Sequence, residues 1–199
     1  MTSADEPGRT KVVRLRIYVQ ADNIRIERPG AGQTIIARLK DNVVWSIDEK
    51  SGQYYETTFE NIAARWRRMR RAEGIQEGGP GAVLLKRSEE KKSIMWHTCA
   101  HYIVSVGDKM VLELWADNDF DFPEKETIYR FRARMGEFSP DVLREIEKVP
   151  GFPLRMNGFT YVGDERMISL REVKSIQRRD IDPAQFTLPD GLRKATAAE

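Results

Sequence analysis

The sequence predicts an α+β protein in which a curved antiparallel β-sheet, a half-barrel, packs around about three helices. Most of the chain consists of short runs in which apolar and polar residues alternate, the period of half-buried strands. Helical periods occur in two places, within 57–74 and within 128–150, and strands surround both. Helices grouped between runs of antiparallel strands are typical of α+β domains whose helices cover one face of the sheet.

The composition is that of one soluble, globular domain. The chain has 199 residues, of which 40% are hydrophobic and 32% charged, enough to fill one domain. Its net charge of +2 is too small to attract nucleic acid, which we do not expect as a partner. The single cysteine excludes an internal disulfide, and no apolar run reaches the roughly 18–20 residues of a membrane span. We expect a flexible lead-in at 1–10, one domain at 11–194 and a short tail at 195–199.

Alternating runs at the start of the chain predict an antiparallel meander. In KVVRLRIYVQ the residues Val13, Leu15, Ile17 and Val19 alternate with polar ones, which predicts a half-buried strand. Turn-rich segments separate the runs that follow, as a meander requires. Those runs are NIRIER, TIIARL, NVVWSID and GQYYET.

The three helices have clear start and stop signals. Thr57 and Glu60 have the spacing of a capping box, and Gly74 ends the first helix. Gly136 ends the second helix, and Ser139 is the expected N-cap of the third. The Gly-rich stretch GIQEGGPGA reads as a flexible connector. The remaining strands are AVLLKR, SIMWHTCAHYIVSV and MVLELWAD, followed by a hairpin of FPLRMNGFTYV and RMISLREVKSIQRRD across Gly163-Asp164.

The first helix is unusually basic. Its polar face is rich in arginine and would suit docking on an anionic lipid or another polyanion. A solvated helix surface is the simpler interpretation of the same charges. The candidate face consists of Arg65, Arg67, Arg68, Arg70 and Arg71.

Aromatic residues on the mixed faces of the strands suggest an apolar cleft between the sheet and its helices. Such a cleft is the usual setting for an apolar ligand, although the helices can equally fill it. Burying an acyl chain there would gain about 0.8 kcal/mol per methylene group. The expected lining residues are Trp45, Tyr54, Trp66, Met69, Trp96 and Trp115.

Several segments resemble a family of exported bacterial proteins of uncharacterised function, which is similar to the LolA-like half-barrels. The longest is IYVQADNIRIERPGAGQTIIARLKDNVVWSIDEKSGQYYE, and Cys99 with Tyr102 matches a recurring Cys-x-x-Tyr. The segments ELWADNDFDFP, GFPLRM and IDPAQFTLPDGLRK match the strand before the helices, the last hairpin and the tail. Together they span roughly residues 11–194, and their order rather than any single motif carries the resemblance.

The resemblance implies export across the inner membrane and handling of lipid or lipoprotein. The implied compartment is the periplasm, and the implied partners are an acyl group and an envelope protein. MTSADEPGRT itself lacks the apolar core and cleavage pattern of a signal peptide. It is interpreted as a lead-in or as a junction left after removal of an export signal. The family supplies no catalytic residues.

Three potential metal ligands, His97, Cys99 and His101, alternate within MWHTCAHYIV. If the following turn lies at 107–109, Val104 pairs with Leu112, and a clean apolar set falls on one face. The opposite face would then gather His97, Cys99, His101, Glu113, Trp115 and Asp117. This cluster is a candidate zinc or copper site.

A metal is nevertheless not the favoured interpretation of this strand. Three alternate residues of one strand rarely converge on one ion, and the chain has no paired Cys-x-x-Cys element. Cys99 is equally well explained as a small buried apolar residue. No catalytic motif is present, so we expect a binding protein without a cofactor rather than an enzyme. A closed interaction module that docks through the arginines is the alternative, and a metal-binding protein the second alternative.

Overall fold

The computed structural model describes residues 12–76, 81–163 and 165–196. It confirms the α+β class, with two antiparallel-rich sheets and three α-helices, and within the described residues neither sheet closes into a barrel. The strands divide between two sheets rather than forming one curved sheet, and the half-barrel stays a prediction. The elements are β1 (Arg16–Gln20), β2 (Asn23–Arg28), β3 (Gln33–Arg38), β4 (Val43–Asp48), β5 (Gln53–Thr57), α1 (Phe59–Ala72), β6 (Ile75–Gln76), β7 (Val83–Ile94), β8 (His97–Val106), β9 (Lys109–Asp117), α2 (Lys125–Arg134), α3 (Pro140–Glu147), β10 (Phe152–Val162), β11 (Glu165–Glu172) and β12 (Arg193–Lys194).

The described residues form two compact units, one from 12–56 with 182–196 and one from 57–181. The prediction of a single domain over 11–194 stays a prediction. In the first unit β1 to β5 form the expected antiparallel meander, and β12 adds in parallel to β5. A 3-10 helix, Pro183–Phe186, packs on β2 and β3.

The sheet of the second unit has the order β11-β10-β9-β8-β7, with β6 beside β10. One face packs on α2 and α3, and this hydrophobic core holds the apolar set predicted for β8 and β9. Its buried residues include Tyr102, Val104, Leu112, Leu114, Tyr129, Val142 and Ile146. The predicted pairing of β8 with β9 is confirmed for Tyr102 opposite Leu114 and Val104 opposite Leu112. The turn is Gly107-Asp108 rather than 107–109, so Val106 lies opposite Lys109 and not Met110, and an irregularity after Val104 restores the predicted register.

The helix signals are largely confirmed. Ser139 caps α3 by accepting the N–H of Val142 at 3.4 Å. The cap of α1 is Thr58 and not Thr57, one residue later than predicted. None of the described helices is long and apolar enough to cross a membrane.

Three strand predictions are corrected. β1 begins only at Arg16, and Val13, Leu15 and Ile17 are exposed rather than half-buried. The strand predicted over 93–106 is interrupted by a tight turn at Met95-Trp96. Both turn residues have positive φ, 51° and 70°, which β-strands do not permit. The last strand ends at Glu172 instead of Asp180. Of the Gly-rich connector, 77–80 lie outside the described residues, as does Asp164 in the final hairpin.

Candidate functional site

Helix α1 packs on helix α2 through one stripe of buried residues. Its N-cap, Thr58, accepts the N–H of Asn61 at 3.3 Å, and the buried side chains are Phe59 and Ala63. Phe59 packs edge-to-face on Phe131 of α2, with ring centroids 6.2 Å apart. The stripe that contains Phe59 therefore fixes α1 to α2, and most of the remaining helix surface is accessible.

The arginines of α1 fall into two groups. Arg70 turns toward the end of α2, where its guanidinium donates to the carbonyl of Gly136, and burial lowers its pKa. The acidic residue of the first turn, Glu60, lies 3.6 Å from the guanidinium of Arg134. The other four arginines are exposed and have no ion-pair or hydrogen-bond partner in the described part of the chain. These four, here called the basic surface, are Arg65, Arg67, Arg68 and Arg71.

Two apolar side chains of α1 lie beside the basic surface and remain accessible. Trp66 is 45% exposed and Met69 is 36% exposed. Because residues three and four apart are neighbours on a helix, Arg65 lies beside both Met69 and Arg68. The other two arginines of the basic surface, Arg67 and Arg71, lie farther from Met69, with Arg71 one turn from Arg68. α1 thus presents cations and accessible apolar side chains together, as helices that bind anionic amphiphiles do.

The second region of interest is the face of β8 and β9 that is turned away from α2 and α3. The predicted set His97, Cys99, His101, Glu113, Trp115 and Asp117 does share this face, here called the histidine face. Its histidines are paired with carboxylates rather than with each other. The Nδ1 atom of His97 lies 2.7 Å from Oδ2 of Asp117. The Nε2 atom of His101 lies 3.0 Å from Oε1 of Glu113.

His101 is the centre of the histidine face. Only 4% of its surface is exposed, and its ring stacks on Trp115 at a centroid distance of 4.2 Å. Its Nδ1 atom lies 2.9 Å from the hydroxyl oxygen of Ser88, in β7. The second oxygen of Glu113 accepts a hydrogen bond from the side-chain amide of Asn157, in β10. Both ring nitrogens of His101 therefore have partners inside the protein.

Cys99 is a buried thiol in an apolar cluster with Ile94, Trp115 and Leu154. It is fully buried, and burial together with the nearby Asp117 carboxylate raises its pKa to about 11. A thiol in this state is protonated at neutral pH and is a poor metal ligand. Within 12–76, 81–163 and 165–196, no three His, Cys, Asp or Glu side chains are arranged to hold a metal ion.

The six expected cleft residues occupy different surroundings. Trp45 and Tyr54 belong to the first unit, where the indole N–H of Trp45 donates to Glu56 at 2.9 Å. Trp66 and Met69 lie on α1, Trp96 is fully exposed at the β7–β8 turn, and Trp115 stacks on His101. The remaining members of the set, Trp66, Met69, Trp96 and Trp115, lie in the second unit.

Two cavities of the second unit are relevant to ligand binding, and none of those six residues lines either of them. One of about 30 Å³ lies among Leu112, Phe138 and Met156, and it is large enough for about one water molecule. The other has about 320 Å³ and opens at the irregular part of β7, around residues 87–91. Neither provides a space for a long acyl chain, so the acyl-binding cleft stays a prediction.

Sequence patterns alone do not indicate Ser88 or Asn157. Ser88 reaches His101 because the register of β7 shifts between Arg87 and Lys91. Asn157 reaches Glu113 across the β9–β10 pairing, 44 positions away in the chain. The signal that could have found them is the buried histidine itself, since a buried imidazole needs a partner for each ring nitrogen.

Comparison with known proteins adds no relative. The sequence matches no family model, no curated protein and no solved structure. The resemblance to the LolA-like half-barrels therefore stays a prediction.

Proposed function

We propose that this protein is a binding protein that docks through α1 on anionic lipid surfaces. The single observation that carries the proposal is the basic surface, whose four arginines have no acidic partner in the described residues and which shares α1 with the accessible Trp66 and Met69. The preferred location is the periplasm, as the family resemblance implies. Transport of an acyl group and recognition of an envelope protein remain expectations.

The charge of α1 supports an anionic partner. Near a membrane that contains anionic lipid, each arginine contributes about 1 kcal/mol of attraction. The guanidinium also forms bidentate hydrogen bonds to phosphate oxygens, which lipid headgroups supply. Without such a partner, neighbouring arginines such as Arg67 and Arg71 repel each other along the helix.

The apolar residues of α1 support a lipid surface over a purely polar polyanion. Tryptophan concentrates at the boundary between headgroups and acyl chains, where its ring is buried and its N–H stays wet. Met69 lies one helical turn from both Arg65 and Trp66, so thioether, ring and cation can enter one interface together. A nucleic acid or a polyphosphate would use the arginines but not Met69.

Vesicle co-sedimentation tests the proposal. We expect the full chain to sediment with vesicles of phosphatidylcholine and phosphatidylglycerol, and not with vesicles of phosphatidylcholine alone. Replacing Arg65 and Arg68 with glutamine should weaken binding about 30-fold, because two cations at about 1 kcal/mol each are lost. Added salt should weaken binding of the unchanged protein as well.

Two matched variants separate docking through one surface from a general charge effect. Replacing Arg67 and Arg71 removes the same charge from the part of the basic surface that is farther from Met69, and it should weaken binding less. Trp66→Ala should reduce binding, whereas Trp96→Ala, at the fully exposed turn, should not. Equal losses for both arginine pairs, or equal binding to both kinds of vesicle, would refute the proposal.

A further inference from the structure

The hydrogen bonds around His101 have a defined direction. An ionised Glu113 can only accept, so Nε2 of His101 must carry the hydrogen in the 3.0 Å contact. In the neutral ring this leaves a lone pair on Nδ1, which faces Ser88 and lies 3.7 Å from Oε2 of Glu90. In this tautomer the Ser88 hydroxyl donates to Nδ1 across 2.9 Å. The chain of donors runs from serine to histidine to carboxylate, as in enzymes with a serine nucleophile.

Glu113 is itself oriented by a fourth residue. The side-chain amide of Asn157 donates to the oxygen of Glu113 that His101 does not use. Trp115 stacks on the imidazole with an angle of 10° between the rings. These contacts fix both the position and the orientation of the His101 ring. A general base needs a fixed orientation so that its lone pair keeps pointing at the nucleophile.

Ser88 lies at an irregularity of β7 that opens to a cavity. Between Arg87 and Lys91 the pairing with β8 shifts its register, and the N–H of Glu90 donates to the Ser88 hydroxyl at 3.1 Å. β-Bulges of this kind are frequent beside active sites, where they redirect a side chain. The cavity has about 320 Å³ and is lined by Arg87, Ser88, Glu89, Glu90, Lys91 and Ala100.

We propose that Ser88, His101 and Glu113 form a hydrolytic site for carboxylic esters with a small acyl group, with Ser88 as the nucleophile. Small-molecule sites have volumes of about 300–1,000 Å³, and the volume of this cavity lies at the lower end of that range. Its charged lining favours a polar acyl group over a long alkyl chain. This activity goes beyond docking on lipid surfaces and depends on different residues.

The reaction balances without a cofactor. The oxygen of Ser88 bonds to the acyl carbon while its proton moves to Nδ1 of His101, and the carbonyl π pair moves onto oxygen. Collapse of this intermediate breaks the bond to the alcohol, which takes the proton from Nδ1. Water then attacks the acyl-serine in the same way, which releases the acid and restores Ser88. The cations of Arg87 and Lys91 line the cavity and can stabilise the negative oxygen.

Covalent labelling with a fluorophosphonate tests the proposal on the full chain. Attack by Ser88 displaces fluoride and leaves one phosphonyl adduct, which peptide mass spectrometry assigns to a residue. We expect the adduct on Ser88, its loss in Ser88→Ala, and labelling slower by about 10²–10⁴-fold in His101→Gln. The hydrolysis of p-nitrophenyl acetate should fall in the same two variants.

Ser93→Ala is the matched control, because Ser93 is exposed on the same strand and should not affect labelling. Ser88→Ala alters a half-buried residue outside the core, so its circular dichroism should match that of the unchanged protein. An unlabelled Ser88, or ester hydrolysis that persists in Ser88→Ala, overturns the proposal. Labelling that His101→Gln leaves unchanged overturns the role of His101.

Discussion

The charged side chains of helix α1 and of the histidine face differ in whether they have partners inside the protein. On α1 the four arginines of the basic surface have no partner among the described residues. On the histidine face His97 pairs with Asp117, and His101 with Glu113. Beside them Arg155 lies 3.2 Å from Glu172. Charges that are matched internally hold their side chains in fixed positions, whereas charges without a partner are available to a molecule outside the protein.

The energetic consequences differ in the same way. Like charges one turn apart on a helix destabilise it by about 0.2–0.5 kcal/mol per pair, so the basic surface weakens α1 when nothing is bound. The pairs of the histidine face are partly or fully buried, and removing one partner leaves the other buried and unsatisfied. Substitutions on the histidine face should therefore change mainly the stability of the protein. Substitutions on the basic surface should change mainly its binding.

The largest effect is expected directly beneath the histidine face. Leu114 is fully buried on the opposite side of β9, and Leu114→Ala should lower the free energy of unfolding by about 2–5 kcal/mol through lost burial and a cavity. Urea unfolding followed by circular dichroism measures the change. Met69→Ala on α1 is the control, and as a surface substitution it should change stability by about 0.5 kcal/mol or less. Comparable losses for both variants would remove the distinction between the two regions.

Cys99 reports on the integrity of the histidine face through its reactivity. Its pKa, raised from 9.0 to about 11, means that the thiolate fraction near pH 8 is about a hundredfold lower than for an ordinary thiol. Because the pKa is raised, reactivity is lost below it and returns as the pH rises through it. We expect slow reaction with Ellman's reagent in the native protein and fast reaction in urea. Asp117→Asn should accelerate the native reaction, since the carboxylate contributes to the shift.

The opposite result would be equally informative. Fast reaction of Cys99 in the native protein at pH 8 would mean that β8 opens readily. In that case the internal pairing of the histidine face would not be a stable feature, and its contrast with α1 would disappear.

The sequence predicts well what depends on local periods and neighbouring strands. The pairing of β8 with β9 follows from the apolar set that includes Tyr102 and Leu114, because a shift by one residue would expose that set. The cap of α3 follows from Ser139 and its position before an apolar pattern. These features require only residues that are close in the chain or joined by a short turn.

Features that depend on distant or unusual geometry are missed. The turn at Met95-Trp96 lacks the Asn or Gly that normally marks positive φ, so the strand appears continuous in the sequence. The division of the strands between two sheets leaves no periodic signal. Among the candidate residues, Arg70 is indistinguishable by sequence from its neighbours, and only its contact with Gly136, 66 positions away, removes it from the basic surface.

The smallest expected effect concerns two arginines of α1, and it tests most specifically whether the basic surface is free of structural contacts. Arg68→Gln should change the free energy of unfolding by about 0.5 kcal/mol or less, since it removes repulsion and no internal contact. Arg70→Gln removes a partly buried hydrogen bond to Gly136 and should cost about 1–3 kcal/mol. Vesicle binding should show the reverse order, with the larger loss for Arg68→Gln. If Arg68 contributed to stability as much as Arg70, the basic surface would be part of the fold, and its availability to a lipid surface would no longer follow from its lack of partners.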